Sequence, residues 1–406
     1  MKPLLKPRWL LLVIAYLGYV CLGLPDAALG VAWPSLREGY LLPQSGLGLV
    51  LVAVGIGYFM VSFNMGYLVQ RMGLGWLLTL STLFMATSLV GYALSQSWSL
   101  FLACAVLTGI GAGAIDGGLN VYAAEHFSGR QMNWLHACYG LGATMGPLIM
   151  TAALQQTGTW RWGYLLVAVC MGAMTAAFTL TRRQWVSQSE PLAEPTIPPP
   201  SPTTPQPLAM PQRPPTMLDA LRHPTVKLQI GLFFLYTGLE STAGQWSFTL
   251  LTEGRGVDIT QAGIWVSAYW AFLTIGRIAF GVLVSWLPMT QLVRLSMITA
   301  VFGATLLAVK GGPIISLAGL GLLGFSLAPV FPCLMKQTPE RVSKRLATYA
   351  IGLQVSAAML GVMVIPGLTG LLVQWHSLEM VGSVLIVVAV LLCLLHERLA
   401  RGSGTI

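Results

Sequence analysis

Apolar runs of about 20 residues recur twelve times along this chain, and they decide what it can fold into. In hydrocarbon every backbone N–H and C=O must be satisfied within its own segment or in a closed barrel. Runs of this length, rather than alternating ten-residue stretches, select helices. They lie near residues 9–31, 44–69, 74–94, 99–124, 134–156, 161–181, 225–251, 259–284, 289–309, 312–335, 346–373 and 378–396. Composition points the same way: 55% apolar and 9% charged residues and a mean hydropathy of +0.73 exclude a water-soluble core for most of the chain. The expected fold is an all-α integral membrane protein of twelve transmembrane helices in two six-helix bundles.

The net charge of +9 reports topology rather than a nucleic-acid partner. With the N-terminus inside, Lys2, Lys6, Arg8, Arg71, Arg130, Arg182, Arg183, Arg213, Arg222, Lys227, Arg294, Lys336, Arg341, Lys344, Arg345, Arg398 and Arg401 fall on the cytoplasmic side. Only Arg37, Arg161, Arg255 and Lys310 fall outside. This asymmetry predicts a multi-pass protein of a cell inner membrane with both termini cytoplasmic. Cys21, Cys104, Cys138, Cys170, Cys333 and Cys393 lie singly within the spans, without metal-ligand spacing, and read as packing residues. The basic start followed by an apolar run resembles a secretory signal, but no small-residue cleavage site precedes a soluble domain. It reads as the first membrane helix.

Eleven prolines between Pro191 and Pro215, interspersed with Ser and Thr, form a segment that cannot bury a core. It predicts an N-terminal bundle over 1–185, a cytoplasmic linker over 186–222 and a C-terminal bundle over 223–406. The halves echo each other: the segment from Gly66 to Gly73 follows the second span as that from Gly281 to Pro288 follows the eighth. Gly109-Ile110-Gly111 similarly matches Gly319-Leu320-Gly321. Such internal duplication is common in secondary transporters, whose solute sits between the repeats at mid-membrane.

The segment Gly66-x-Leu68-x-x-Arg71-x-Gly73 resembles the signature of the major facilitator superfamily between its second and third helices. The resemblance implies gating roles for Gly66, Arg71 and Gly73 in a cytoplasmic charge network. Gln70 stands where the family usually has Asp, and Leu74 and Gly75 where basic residues are common. Asp116-Gly-Gly-Leu-Asn120, followed by Met132-Asn133-Trp134-Leu135-His136 and Gly140-Leu-Gly142, is similar to the fucose-permease branch. That likeness implies proton-coupled sugar uptake with Asp116 as the fourth-helix acid. The branch's first-helix acid does not fall at Asp26 when Pro34 is the anchor.

Ionisable residues at the centre of a span cost about 2.5–3.5 kcal/mol each on insertion scales, so those present need a reason. Asp116 and Asn120, four residues apart, share one face of the fourth helix beside glycines that allow close approach. That face is expected to line a cavity, and Asp116 to carry the coupling proton; an acid locked in a structural hydrogen bond, or paired with Arg277, is the other reading. Asp26, after Pro25 in the outer part of the first span, is either a second coupling acid or an acid reaching the outer surface. Glu240, amid polar and small residues on every face of the seventh span, predicts a discontinuous helix at the cavity. Arg277 either snorkels to the cytoplasm or meets a carboxylate across the cavity as part of a gate.

Amide groups and aromatic faces suit a sugar's hydroxyls and C–H face. Asn120, Asn133, His136, Tyr139, Gln245, Trp246, Tyr269 and Trp270 are the candidate solute ligands. The chain carries no Gly-rich loop ending in Lys-Ser/Thr and no His-Glu-x-x-His, so neither ATP-driven pumping nor zinc hydrolysis is indicated. No enzymatic role, cofactor or metal is expected. The partners expected are the bilayer, a small sugar-like solute and a proton. Sodium is the other ion that a carboxylate with Asn and carbonyls can ligate. No nucleic acid is expected, and the chain is expected to be monomeric. Proton-coupled efflux of amphipathic compounds is the alternative, prompted by Gly142-Ala-Thr-Met-Gly146-Pro147 in the fifth span. A channel would call for rings of like charge or a filter-like repeat, and neither is seen.

Overall fold

The computed structural model describes residues 9–185, 216–283 and 286–402, apart from a few side chains, that of Asn133 among them. Most of the 186–222 linker therefore lies outside the described residues. Among those described, every regular element is helical. The helices are α1 (Trp9–Gly39), α2 (Gly46–Ser62), α3 (Met65–Met72), α4 (Leu74–Leu94), α5 (Trp98–His126), α6 (Gly129–Thr157), α7 (Trp160–Thr181) and α8 (Met217–Arg222). There follow α9 (Pro224–Thr249), α10 (Ile259–Leu283), α11 (Met289–Ala308), α12 (Pro313–Leu327), α13 (Val330–Arg341), α14 (Lys344–Trp375) and α15 (Met380–Gly402). A π-helical turn, Leu250–Gly254, extends α9.

By length and composition ten of these segments can cross a membrane, or eleven if the pair α2 and α3, bent by 60°, is one span. α9 is not among them, although at 26 residues it is long enough: Gln229, Thr237, Glu240, Ser241, Thr242 and Gln245 dilute its apolar content. Several expected boundaries shift. At 31 residues α1 spans about 46 Å, more than the roughly 30 Å hydrocarbon layer, so Asp26 lies in its middle rather than its outer part. The break expected within the seventh span is absent. α9 runs unbroken through Glu240, and its Thr237 hydroxyl, one turn before, bonds the Phe233 carbonyl of its own helix at 2.9 Å and the Ala358 carbonyl of α14 at 2.7 Å. Its irregular turn comes later, at the π-helical segment. Residues 217–222, read as linker, form α8, started by a capping box of Thr216 and Asp219 and seated by buried Ala220 on Val226, Val342 and Leu346.

Counting α2–α3 and α12–α13 as one crossing each, and the 26-residue α9 as a crossing despite its polar residues, successive crossings alternate, so both described termini come to one end, the terminal end. α1 to α7 pack chiefly on one another: α1 on α6 and α7, α2 on α5, and α4 on α5 and α7. In the second set α9 packs on α14 and α15, α10 on α12, and α11 on α12 and α15. The sets meet along α6 with α10, α2 with α14, and α1 with α9.

Lipid tails are as apolar as Leu, so close van der Waals packing must hold neighbouring helices together. At Gly142 a side chain would press into the Val20 carbonyl of α1, and at Gly146 into that of Leu24. The glycines of the Gly142–Pro147 segment thus seat α6 on α1. We expect Gly142→Val to lower thermal stability in detergent by several degrees, because carbonyl on an adjacent helix cannot yield. Gly172→Ala, with nothing within 4 Å of the added carbon, should leave the melting temperature unchanged or slightly raised.

Candidate functional site

The intramembrane acids of the first helix set gather near mid-helix and are held by tyrosines. The Asp116 carboxylate of α5 accepts hydrogen bonds from the hydroxyls of Tyr19 on α1 at 2.9 Å and Tyr58 on α2 at 2.6 Å. Asn120, one turn on, adds its amide at 3.1 Å, as their shared helix face predicts. Hydrogen bonds to charged groups contribute about 1.5–3 kcal/mol each, so three donors on one carboxylate can offset the cost of carrying it into the membrane. The Tyr19 ring in turn meets the His136 ring edge-on, centroids 5.5 Å apart. His136 is exposed, and Asp116 and Asn120 are half-buried.

Asp26 of α1 accepts from the Tyr139 hydroxyl of α6 at 2.9 Å. Its backbone carbonyl also accepts the Gln245 amide of α9 at 2.9 Å, which ties the two helix sets together. Gln245 is buried, and its side-chain oxygen has no hydrogen-bond donor among the described residues.

The second set holds the opposed charges. The Arg277 guanidinium of α10 lies 4.0 Å from the Glu240 carboxylate of α9, the two side chains 23% and 16% exposed. Tyr236 donates to Glu240 from one turn earlier, and the Tyr269 hydroxyl donates to the Glu240 backbone carbonyl at 2.9 Å. Arg277 therefore turns towards a carboxylate rather than snorkelling away from the helix core.

The aromatic candidates divide. Trp246 is fully buried, its indole donating to the Pro366 carbonyl at 3.0 Å, and Tyr269 is fully buried as well. In this conformation both rings belong to packing. Trp270, also buried, has its six-membered ring against Gly244, and its indole N–H has no partner among the described residues. Tyr139 is half-buried and faces Asp26. Asn133 lies in α6, but its side chain is outside the described residues.

The α2–α4 connection sits apart. Gly66 has nothing within 4 Å of where a side chain would start, and Arg71 is exposed, donating to Tyr67 one turn back. Gly73 closes α3 and opens α4 at φ 75° and ψ 151°, a conformation that essentially only glycine adopts. Sequence reasoning missed Tyr19, Tyr58 and Tyr236. The i to i+4 spacing of Tyr236 and Glu240 was a visible signal, whereas Tyr19 and Tyr58 reach Asp116 only through tertiary packing. An apolar groove of about 560 Å³ between α10 and α12, lined by Trp265, Phe272 and Leu317 among others, and a polar one of about 480 Å³ beside Glu38 and Arg161, include none of the central acids.

A family model described as Major Facilitator Superfamily matches residues 15–357. The glucose/mannose transporter GlcP of Bacillus subtilis is 21% identical over 330 residues, covering 80% of this chain and 78% of that protein. Among solved structures, a bacterial homologue of the human lysosomal transporter Spinster, inward-facing and occupied, superposes with a TM-score of 0.76 at 14% identity, over 98% of this chain and 97% of that one. The nucleoside transporter NupG gives 0.75 at 13% identity, over 97% and 99%.

A double-substitution cycle tests the second cluster. Glu240→Gln leaves a guanidinium without its counter-charge in a largely desolvated place, and Arg277→Gln does the converse. We expect each single variant to lose more stability in thermal unfolding than the double variant, with a coupling energy of about 1 kcal/mol or more. Additive losses would mean that the two charges do not interact.

Proposed function

The chain belongs to the Major Facilitator Superfamily, and from that membership we propose that it is a secondary active transporter that takes up a small sugar-like solute together with a proton. The two helix sets, residues 1–185 and 223–406, rock about the central acids, opening the site to each side in turn. The asymmetry of basic residues supports an inner-membrane setting with the terminal end cytoplasmic. The likeness to a glucose/mannose transporter supports a sugar, and Asn120, Tyr139 and Gln245 supply the amide and hydroxyl groups that a polyol needs.

One observation carries the coupling role of Asp116: its three hydrogen-bond partners are neutral. Among the described residues no Arg or Lys lies within 4.0 Å of it, whereas Glu240 has Arg277. A proton arriving at Glu240 would strand the guanidinium in a desolvated site, which is costly. A proton arriving at Asp116 strands no cation. It removes the charge that these donors serve and adds an O–H donor to the carboxyl, which weakens or reverses the bonds from Tyr19, Tyr58 or Asn120. Protonation is thereby converted into a changed link between α5 and its neighbours α1 and α2. Asp26, held by Tyr139 alone, is the second acid able to take a proton on the same ground, and Glu240 with Arg277 is the fixed charge pair.

Solute ligation falls to groups bordering these clusters. Asn120 and Tyr139 are half-buried beside the acids, His136 is exposed at the terminal side of Tyr19, and Gln245 keeps a free acceptor. The same neutral oxygens around Asp116 would also suit sodium, and the ion is decided by which gradient drives uptake.

In membrane vesicles with an imposed pH gradient, labelled glucose and mannose head the panel of sugars to be screened for uptake. Asp116→Asn should abolish accumulation above equilibrium while retaining at least a third of solute counterflow, because exchange needs binding but no net proton movement. Accumulation by that variant at the wild-type level would sink the coupling role. Uptake driven by a sodium gradient alone would transfer it to the other ion.

A further inference from the structure

At the end remote from the termini, one ionic contact among the described residues joins the two helix sets, and it is made by the irregular turn that extends α9. Arg37, in the last turn of α1, donates from one guanidinium nitrogen to both carboxylate oxygens of Glu253 at 3.1 and 3.2 Å. Gln44, in the α1–α2 connection, donates its amide to the same carboxylate at 2.9 Å. Glu253 sits in the π-helical turn Leu250–Gly254. Directly after that turn, Arg255 binds Glu379 through two bonds of 3.1 and 2.7 Å and Ser316 at 2.8 Å, all within the second set.

We propose that the π-helical turn is a latch: Arg255 pins it to its own helix set, and Glu253 reaches across to clasp Arg37 and Gln44, holding the far end of the carrier shut. This rests on the alternating-access reading above but not on the identity of solute or ion.

Three features argue for a latch rather than incidental surface charge. The contact crosses between the sets, where the other contacts among the described residues are neutral: backbone packing such as Gly48 against Gly367, and hydrogen bonds such as Gln155 to Thr260 and Gln245 to the Asp26 carbonyl; contacts of that kind can be exchanged for water without leaving a charge unpaired. A π-helical turn holds one residue more per hydrogen-bonded ring than an α-helix and is favoured where a helix must redirect a side chain for function. Here it delivers Glu253 towards the opposite set. The anchor, moreover, is sturdy: Arg255 holds the Glu379 carboxyl below the usual carboxylate range through its hydrogen bonds, despite partial burial. The pH on the far side would therefore have to fall below the usual carboxylate range before the anchor failed.

The strength suits a contact broken in every cycle. The Arg37 and Glu253 side chains are 24% and 25% exposed, so both hydrate readily when the sets part. Pairs of this exposure shift an equilibrium by up to about fivefold. A fully sealed pair would resist opening far more strongly.

The test needs no solute. In the full chain with its native cysteines replaced, spin labels at Leu41→Cys in the first set and Ile314→Cys in the second, both highly exposed at the far end, report its opening as a distance distribution. Arg37→Gln and Glu253→Gln should each raise the ratio of long to short distances by about two- to fivefold, and the double variant by no more than the larger single effect. Glu379→Gln, which touches only the anchor, should shift the ratio in the same direction. Glu38→Gln, an exposed acid of the same helix end, should leave it unchanged. Unchanged distributions in the Arg37 and Glu253 variants, or effects that multiply in the double variant, would overturn the latch. A wrong solute or coupling ion would leave this readout untouched and would show in the vesicle assay instead.

Discussion

A charge in hydrocarbon has no water to lean on, and that single penalty organises the interior of this protein. Each central acid comes with partners already in place: hydrogen bonds from two tyrosines and an asparagine for Asp116, from a tyrosine for Asp26, and from a tyrosine for Glu240, which also has the arginine charge 4.0 Å away. Tyrosine recurs because its ring satisfies the apolar packing of a membrane interior while its hydroxyl reaches a polar partner. The result is a set of ionisable groups that the fold can carry at a cost the surrounding bonds offset. Glycine makes the arrangement compact enough to work. The close seating of α6 on α1 through Gly142 and Gly146 brings Tyr139 within reach of Asp26.

The parts legible in the sequence are those fixed by local composition. Apolar length located the spans, and helical spacing placed Asn120 on the face of Asp116. What stayed hidden depends on contacts between distant segments. Tyr19 and Tyr58 carry no mark in the sequence that distinguishes them from any other membrane tyrosine, yet they lie 97 and 58 residues from the acid they hold. α9 was misjudged for a related reason. Its polar residues suggested a broken helix, but Ser and Thr can return hydrogen bonds to their own helix backbone, so polarity did not require a break. The true irregularity comes directly after Thr249, in Leu250–Gly254, a stretch whose composition gives no warning.

Aromatic residues show the same limit. Trp246 directly follows the polar candidate Gln245 and Tyr269 directly precedes Trp270, and nothing in their spacing separates a ring that packs from a ring that faces an opening. Packing decided it: the indole of Trp246 meets Gly370 of α14, where glycine leaves room for the ring, and its N–H is spent on Pro366. A residue so engaged contributes, in this conformation, to the packing of α9 against α14.

The distribution of the polar contacts bears on how such a molecule can move at all. The Asp116 cluster is drawn wholly from α1, α2 and α5, the Asp26–Tyr139 pair from α1 and α6, and the Glu240 cluster from α9 and α10. Each charge is therefore satisfied by neighbours that travel with it when one helix set tilts against the other. Contacts that cross between the sets near the centre are of another kind: the Gln245 amide on the Asp26 carbonyl is a neutral bond, worth about 0.5–1.5 kcal/mol net. Separating the sets there leaves no unpaired ion behind. The penalty that forces every acid to have a partner would otherwise make a moving membrane protein rigid; with each charged cluster confined to one set, every acid could keep its partners while the sets moved.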